Sequence, residues 1–100
     1  MEYSSNINDS MACVKISGQF TFADTQKFKN ILDTINNNKI NSIKLDISDT
    51  TFIDSSSMGM LLLLRDECES RKVSLNLSQP QGQVEKIFRI SKFYDLFSIC

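Results

Sequence analysis

Residues Phe52-Ile53-Asp54-Ser55-Ser56-Ser57-Met58-Gly59-Met60 run directly into Leu61-Leu62-Leu63-Leu64. An apolar pair, an acid and three serines stand at the entrance to a strongly apolar stretch long enough for a helix. Asp and Ser accept hydrogen bonds from the first amides of a helix, so this is a helix-start signal. A helix apolar on nearly every side has to be sandwiched between other elements, or it exposes an apolar patch. The feature therefore demands a layered fold with a strand feeding a covered helix. One hydroxyl suffices for a cap, so the remaining serines face water or a second molecule.

The segments on either side supply the layers. Ile43-Lys44-Leu45-Asp46-Ile47 alternates at period two and predicts a strand, as does Ser74-Leu75-Asn76-Leu77-Ser78. Met11 to Gly18 is short, rich in β-forming residues and closed by glycine. Glu2 to Asn8 reads as an edge strand joined to it by a hairpin through Asn8-Asp9-Ser10. Phe28, Ile31, Leu32 and Ile35 follow i, i+3, i+4, i+7 and predict a helix, with Thr21 as its cap and Asn36-Asn37-Asn38 as its stop. Ser48-Asp49-Thr50 is expected to be a turn. In the helix after Asp54, the expected inward face is Met58, Leu61 and Leu62, with Cys68 further along, and Leu61 and Leu62 are expected in the core. Pro80 and Gly82 mark a turn. Val84, Ile87 and Phe88 predict a third helix, and Phe93, Tyr94, Leu96 and Phe97 a short fourth one. The order is β-β-α-β-α-β-α-α. Strands alternating with helices call for an α/β fold. The polar alternation along the strands calls for a mixed, four- to five-stranded sheet with helices mainly on one face. One hundred residues fit one domain spanning 1–100.

Composition narrows the chemistry. A net charge of -1 argues against a phosphate-gripping basic surface, so no nucleic-acid partner is expected. No apolar run reaches the about 18 residues of a membrane span, and the N-terminus lacks the basic and apolar regions of a signal peptide, so no membrane insertion is expected. Cys13, Cys68 and Cys100 match no zinc or CxxC spacing and read as reduced packing thiols of a cytoplasmic protein. With no histidine in the chain, Ser-His and Cys-His catalysis and histidine metal sites are excluded. Carboxylates, lysines and the cysteines remain, a carboxylate-only acid/base site among the possibilities, and an enzyme is disfavoured. No cofactor and no metal are expected.

Four blocks together carry a family resemblance. They are Ile16-Ser17-Gly18-Gln19-Phe20, Ile43-Lys44-Leu45-Asp46, Thr51 through Leu61, and Val84-Glu85-Lys86-Ile87-Phe88. In order and spacing the chain resembles the STAS domain of bacterial anti-sigma factor antagonists. That resemblance implies a non-enzymatic regulatory module whose serine, here Ser55, is phosphorylated by an anti-sigma factor with serine kinase activity and reset by a serine phosphatase. It implies a partner-binding surface from Asp54, Ser55, Ser56, Ser57, Met58 and Thr21. STAS domains also serve as constitutive subunits of larger assemblies such as lipid-transport ABC complexes, which is the alternative reading. The chain departs from the family in two places. The family's usual Gly-Leu-Gly after two serines is Ser57-Met58-Gly59 here. The frequent Gly-Glu-Leu-Asp loop is Gly18-Gln19-Phe20-Thr21, which has lost both acids.

Overall fold

The computed structural model describes residues 1–37 and 39–99, with 98 and 99 described by their backbone. Asn38 and Cys100 lie outside the described residues. Strand β1 (Glu2–Asn8) turns at Asp9, which sits in the left-handed region at φ 58°, and returns antiparallel as β2 (Met11–Phe20). A 3-10 turn (Phe22–Asp24) leads into helix α1 (Thr25–Asn36). Strand β3 (Ser42–Ile53), helix α2 (Ser55–Arg71), strand β4 (Ser74–Leu77) and helix α3 (Gly82–Ile90) follow. A 3-10 turn (Phe93–Asp95) and the two-residue strand β5 (Ser98–Ile99) close the described chain. The sheet order is β1-β2-β3-β4-β5, antiparallel at the first pairing and parallel at the rest. This is the mixed α/β sheet expected from the sequence.

The period-two pattern decides which face is covered. Ala12, Val14 and Ile16 of β2 and Ile43, Leu45 and Ile47 of β3 are buried, while Cys13, Lys15 and Lys44 between them are exposed. The buried set meets Phe28, Ile31 and Ile35 of α1, Leu61, Leu64 and Cys68 of α2, and Val84 and Phe88 of α3 in one apolar cluster. The other sheet face is left to polar side chains, as an open antiparallel edge permits. At the C-terminal end, Phe88 packs against Phe93, Tyr94 and Phe97 with ring centres 5.1, 5.9 and 6.5 Å away.

Three local expectations are corrected. Ser48-Asp49-Thr50 is not a turn but part of the 12-residue β3. Its residues leave simple alternation because β3 carries two irregularities against β2, between Lys15 and Ser17 and between Gly18 and Gln19. Thr50 is buried there with its hydroxyl donating to the Ile16 carbonyl at 2.8 Å, and Gly18 takes the φ of 80° that its side of the irregularity requires. The inward face of α2 is Ser57, Leu61, Leu64 and Cys68, so Leu64 takes the core position expected for Leu62, which is half-buried at its margin. The short fourth helix is a single 3-10 turn, and the chain then pairs with β4 as β5.

Candidate functional site

The parallel strands β2 and β3 end side by side, Gln19 opposite Phe52 and Phe20 opposite Ile53. The two segments leaving them, Thr21–Asp24 and Asp54–Ser57, therefore emerge together at one edge of the sheet. Each opens with a cap. Thr21 accepts from the Ala23 amide at 3.3 Å through its hydroxyl, and its own amide donates to Asp24 at 2.9 Å. Asp24 is buried and takes the Met1 ammonium at 2.8 Å. Thr21 thus caps the 3-10 turn rather than α1 itself, whose preceding residue Asp24 makes no side-chain cap bond.

Asp54 is the N-cap of α2. Its Oδ1 accepts from the Ser57 amide at 2.8 Å, and the Ser57 hydroxyl accepts from the Asp54 amide at 2.9 Å, which makes a reciprocal capping box. The Ser57 hydroxyl also donates to the Asp54 carbonyl at 2.9 Å. Asp54 Oδ2 accepts from the Phe22 amide at 3.1 Å. One carboxylate thus fastens the start of α2 to the turn after β2. The Ser57 amide, then the Phe22 amide and the Ser57 hydroxyl, hold the Asp54 pKa below the usual carboxylate value against a smaller opposing effect of desolvation, so it is charged at neutral pH. Behind it, the side-chain amide of Gln83 on α3 accepts from the Ile53 amide at 3.1 Å and donates to the Ile53 carbonyl at 3.3 Å, fixing the strand end that carries Asp54.

The six expected site residues separate by environment. Ser55 and Ser56, in the first turn of α2, are exposed. Ser57 is 0% exposed and its hydroxyl is fully used by the box, so it stands under the site rather than on its surface. A buried side chain cannot be touched by a partner, which removes Ser57 from the expected contact set. Met58 is half-buried against the core, and Thr21 is half-buried with its hydroxyl committed to its cap. Asp54 is half-buried between the two turns.

One residue joins the site that the sequence reading did not single out: Phe22 is 70% exposed with its amide held by Asp54. Strand phase carried no signal for Phe22, because a residue two positions after the inward Phe20 keeps the same side; Phe22 is exposed where the 3-10 turn Phe22–Asp24 follows the strand. The reciprocal box, by contrast, was legible, as Asp54 and Ser57 stand at the i, i+3 spacing such boxes use. Among the described residues no group of three or more Cys, Asp or Glu could hold a metal ion, and no helix is long and apolar enough to cross a membrane.

The STAS domain family model matches residues 2–100. The chain belongs to the STAS domain family. A STAS-domain-containing protein of Pseudomonas aeruginosa is 34% identical over 86 residues, covering 86% of this chain and 84% of that one. In fold, this STAS domain is similar to an anti-sigma factor antagonist from Mycobacterium paratuberculosis, with a TM-score of 0.80 at 11% identity, over 98% of this chain and 85% of that one. It is also similar to the phosphorylated form of the Bacillus cell fate determinant SpoIIAA, with a TM-score of 0.75 at 19% identity, over 99% of this chain and 91% of that one. At these identities the two structures speak to the STAS fold alone.

Proposed function

We propose that this chain is an anti-sigma-antagonist-like regulatory binding module, without catalysis of its own, switched by phosphorylation of Ser55. A serine kinase of the anti-sigma type transfers the γ-phosphoryl of ATP to Ser55 Oγ; the new O–P bond forms as the β–γ anhydride breaks, ADP leaves and the hydroxyl proton is released. A serine phosphatase hydrolyses the ester and returns phosphate. The unphosphorylated form binds the kinase partner and the phosphorylated form releases it, as a cytoplasmic signalling protein acting on transcription would require.

The observation that carries this reading is the division of labour among the three serines. The fold consumes Ser57 in its capping box and leaves Ser55, the residue after the cap, exposed. A dianion at the start of a helix is favoured by the first amides and the helix dipole, so the modification is tolerated by the fold. A partner packed over Ser55 and Ser56 is in a different position. Phosphate brings about -1.5 to -2 charges, next to the charge of Asp54. Burying it without a cation costs several kcal/mol or more, and about 2.7 kcal/mol already weakens binding about a hundredfold.

The test is mass spectrometry of the chain purified from its native host, as wild type and as Ser55→Ala, Ser56→Ala and Ser57→Ala. Phosphate on Ser55 that disappears only in Ser55→Ala is the expected result. Phosphate confined to Ser56 would move the switch by one residue. A chain bound to its partner with neither serine ever modified would overturn the switch and favour the constitutive-subunit reading.

A further inference from the structure

The outer edge of β1 is unguarded. The sheet order leaves two edge strands, β1 and β5. β5 is two residues long, and so short a strand blunts its edge. β1 runs for seven residues in unbroken register with β2 and contains no proline, lysine or arginine. Bulges, prolines and edge lysines are the devices that usually stop such a strand from pairing. The one charge in β1 is Glu2, at its end. Both ends of the strand are held. Lys27 Nζ donates to the Met1 carbonyl at 2.7 Å, and the other end closes into the hairpin at Asp9. A strand added along this edge meets chain that is already ordered, which lowers the cost of association.

Tyr3, Ser5 and Ile7 stand opposite Ile16, Val14 and Ala12 of β2, which are buried in the core. Residues opposed in an antiparallel pair share a face, so all three point to the helix side of the sheet. The helices do not cover them: Tyr3 is 37% exposed, Ser5 is exposed and Ile7 is half-buried. Their order is symmetric about Ser5. An antiparallel copy of β1 centred on Ser5 sets Tyr3 opposite Ile7 of that copy, and Ile7 opposite its Tyr3. Ser4 meets Asn6 and Glu2 meets Asn8, so no like charges are opposed. An aromatic facing a β-branched residue is a favourable cross-strand pair, and like charges directly opposite are unfavourable. A slip of one residue sets the apolar side of one strand against the polar side of the other. A slip of two sets Tyr3 opposite Ser5 or Asp9 and parts it from Ile7.

We propose that β1 is a self-association surface, through which two copies of this chain pair antiparallel, centred on Ser5, and join two five-stranded sheets edge to edge. The contact is isologous, with the same strand supplied by both copies. Its two-fold axis passes through the sheet at Ser5, so the helices of both copies stand on one side and the Tyr3–Ile7 pair forms twice. One seven-residue strand per copy is well short of the about 20–30 residues a side of a standard interface. The dimer is therefore weak and set by local concentration. It does not depend on the switch at Ser55.

The probe is the full chain itself, as wild type, Tyr3→Lys, Ile7→Glu, the double variant Tyr3→Lys/Ile7→Glu, and Ile90→Lys. Ile90 on α3 is 69% exposed and lies off this edge, so it controls for general apolar association. Circular dichroism and urea midpoints establish that each variant is folded. Sedimentation equilibrium between about 10 µM and about 1 mM reads the association constant. The wild-type mass should rise toward twice that of the monomer. Tyr3→Lys should lower the association constant about tenfold or more, and Ile90→Lys should leave it within about twofold. The register also predicts a rescue. The double variant sets opposite charges against each other at both positions and should recover most of the loss, as should an equal mixture of the two single variants. Amide hydrogen exchange on the wild type needs no variant: the β1 amides should exchange several-fold more slowly in the concentrated sample, with the α3 amides unchanged. A wild type still monomeric at about 1 mM, a Tyr3→Lys constant equal to that of wild type, an equal loss in Ile90→Lys, or β1 amides indifferent to concentration would each overturn the edge contact. A folded double variant and a folded mixture that associate no better than the single variants would overturn the antiparallel register centred on Ser5.

Discussion

Replacing Ser57 by alanine isolates the structural serine from the two exposed ones. The side chain is fully buried, and its hydroxyl makes two bonds of 2.9 Å with the backbone of Asp54, accepting from the amide and donating to the carbonyl. Alanine leaves the Asp54 carboxylate able to receive the Ser57 amide, so half of the box survives. The Asp54 amide loses its partner, and an unsatisfied donor of this kind costs about 1–3 kcal/mol. Measured N-terminal box and cap deletions fall at about 0.5–2 kcal/mol. The overlap sets the expectation for Ser57→Ala at about 1–2 kcal/mol, which in a domain near 100 residues lowers Tm by about 4–15 °C. Ser57→Gly, which restores the residue usual in the family, adds the cost of glycine inside a helix, about 1 kcal/mol. Ser55→Ala and Ser56→Ala remove exposed hydroxyls and should stay within about 0.5 kcal/mol of wild type. The assay is urea unfolding followed by far-ultraviolet circular dichroism on all four variants. A Ser57→Ala midpoint equal to those of Ser55→Ala and Ser56→Ala would refute the division between one structural and two available serines.

The core and the titrating groups give further checks. Leu61→Ala and Leu64→Ala should each cost about 2–5 kcal/mol, while Leu63→Ala, at an exposed position of the same helix, should cost little; equal losses at all three in urea melts would contradict the assigned face of α2. The Ser48 hydroxyl, at 2.7 Å, and the Ser48 amide lower the pKa of Asp46, with Ser78 adding to them against partial burial. Burial works to raise the pKa of Asp24, but the Met1 ammonium and the Thr21 amide outweigh it and the net shift is downward. A depressed carboxylate contributes stability that is full above its unfolded pKa of about 4 and is lost as pH falls through the lower folded value. Asp46→Asn should therefore flatten the acid limb of the stability curve below about pH 4, and an unchanged limb would remove that assignment. Burial, with a smaller contribution from Glu67, raises the Cys68 thiol to about 11, whereas Cys13 is exposed on the open sheet face. Iodoacetamide at neutral pH should alkylate native Cys13 well before Cys68, as read by peptide mass spectrometry, and comparable rates would show that α2 opens readily.

What could be read in the chain was what depends on neighbours in sequence. Ile43, Leu45 and Ile47 announce their strand because each side chain's face follows from the residue two before it, and Phe28, Ile31 and Ile35 announce α1 by the same local logic. Segments that answer to distant partners were hidden. Ser48-Asp49-Thr50 has turn chemistry, yet it stays extended because Thr50 finds the Ile16 carbonyl and the adjoining Ile47 amide finds the Ser78 hydroxyl at 2.7 Å. Neither partner can be inferred from spacing. The inward face of α2 was misassigned, with Leu62 taken for Leu64 and Met58 for Ser57, for a related reason. Four consecutive leucines have no period, so nothing in Leu61 to Leu64 says which one points inward. The residue that sets the phase is a polar one, Ser57, in line with Leu61, Leu64 and Cys68.

That same serine explains why the site could be located in the sequence but not resolved. A run of three hydroxyls marks the place where a helix begins, and it leaves their roles interchangeable. The fold breaks the equivalence through a single geometric fact: the third helical residue is the one whose side chain can reach back to the cap. Once Asp54 and Ser57 close on each other, Ser57 is turned into the protein and Ser55 and Ser56 are left outside. The free oxygen of Asp54 then reaches the Phe22 amide, a contact across 32 residues of chain. The serine surface and the exposed aromatic ring therefore have a common support. A substitution at Asp54 is expected to disturb both at once, whereas one at Ser55 touches an exposed hydroxyl alone. Comparing Asp54→Ala with Ser55→Ala thus separates the site's architecture from its chemistry. Ser55→Ala should lose phosphorylation and keep the kinase bound, while Asp54→Ala should lose affinity even with an intact Ser55. Equal affinity of the two variants for the purified kinase would show that the Asp54 clamp does not position the binding face.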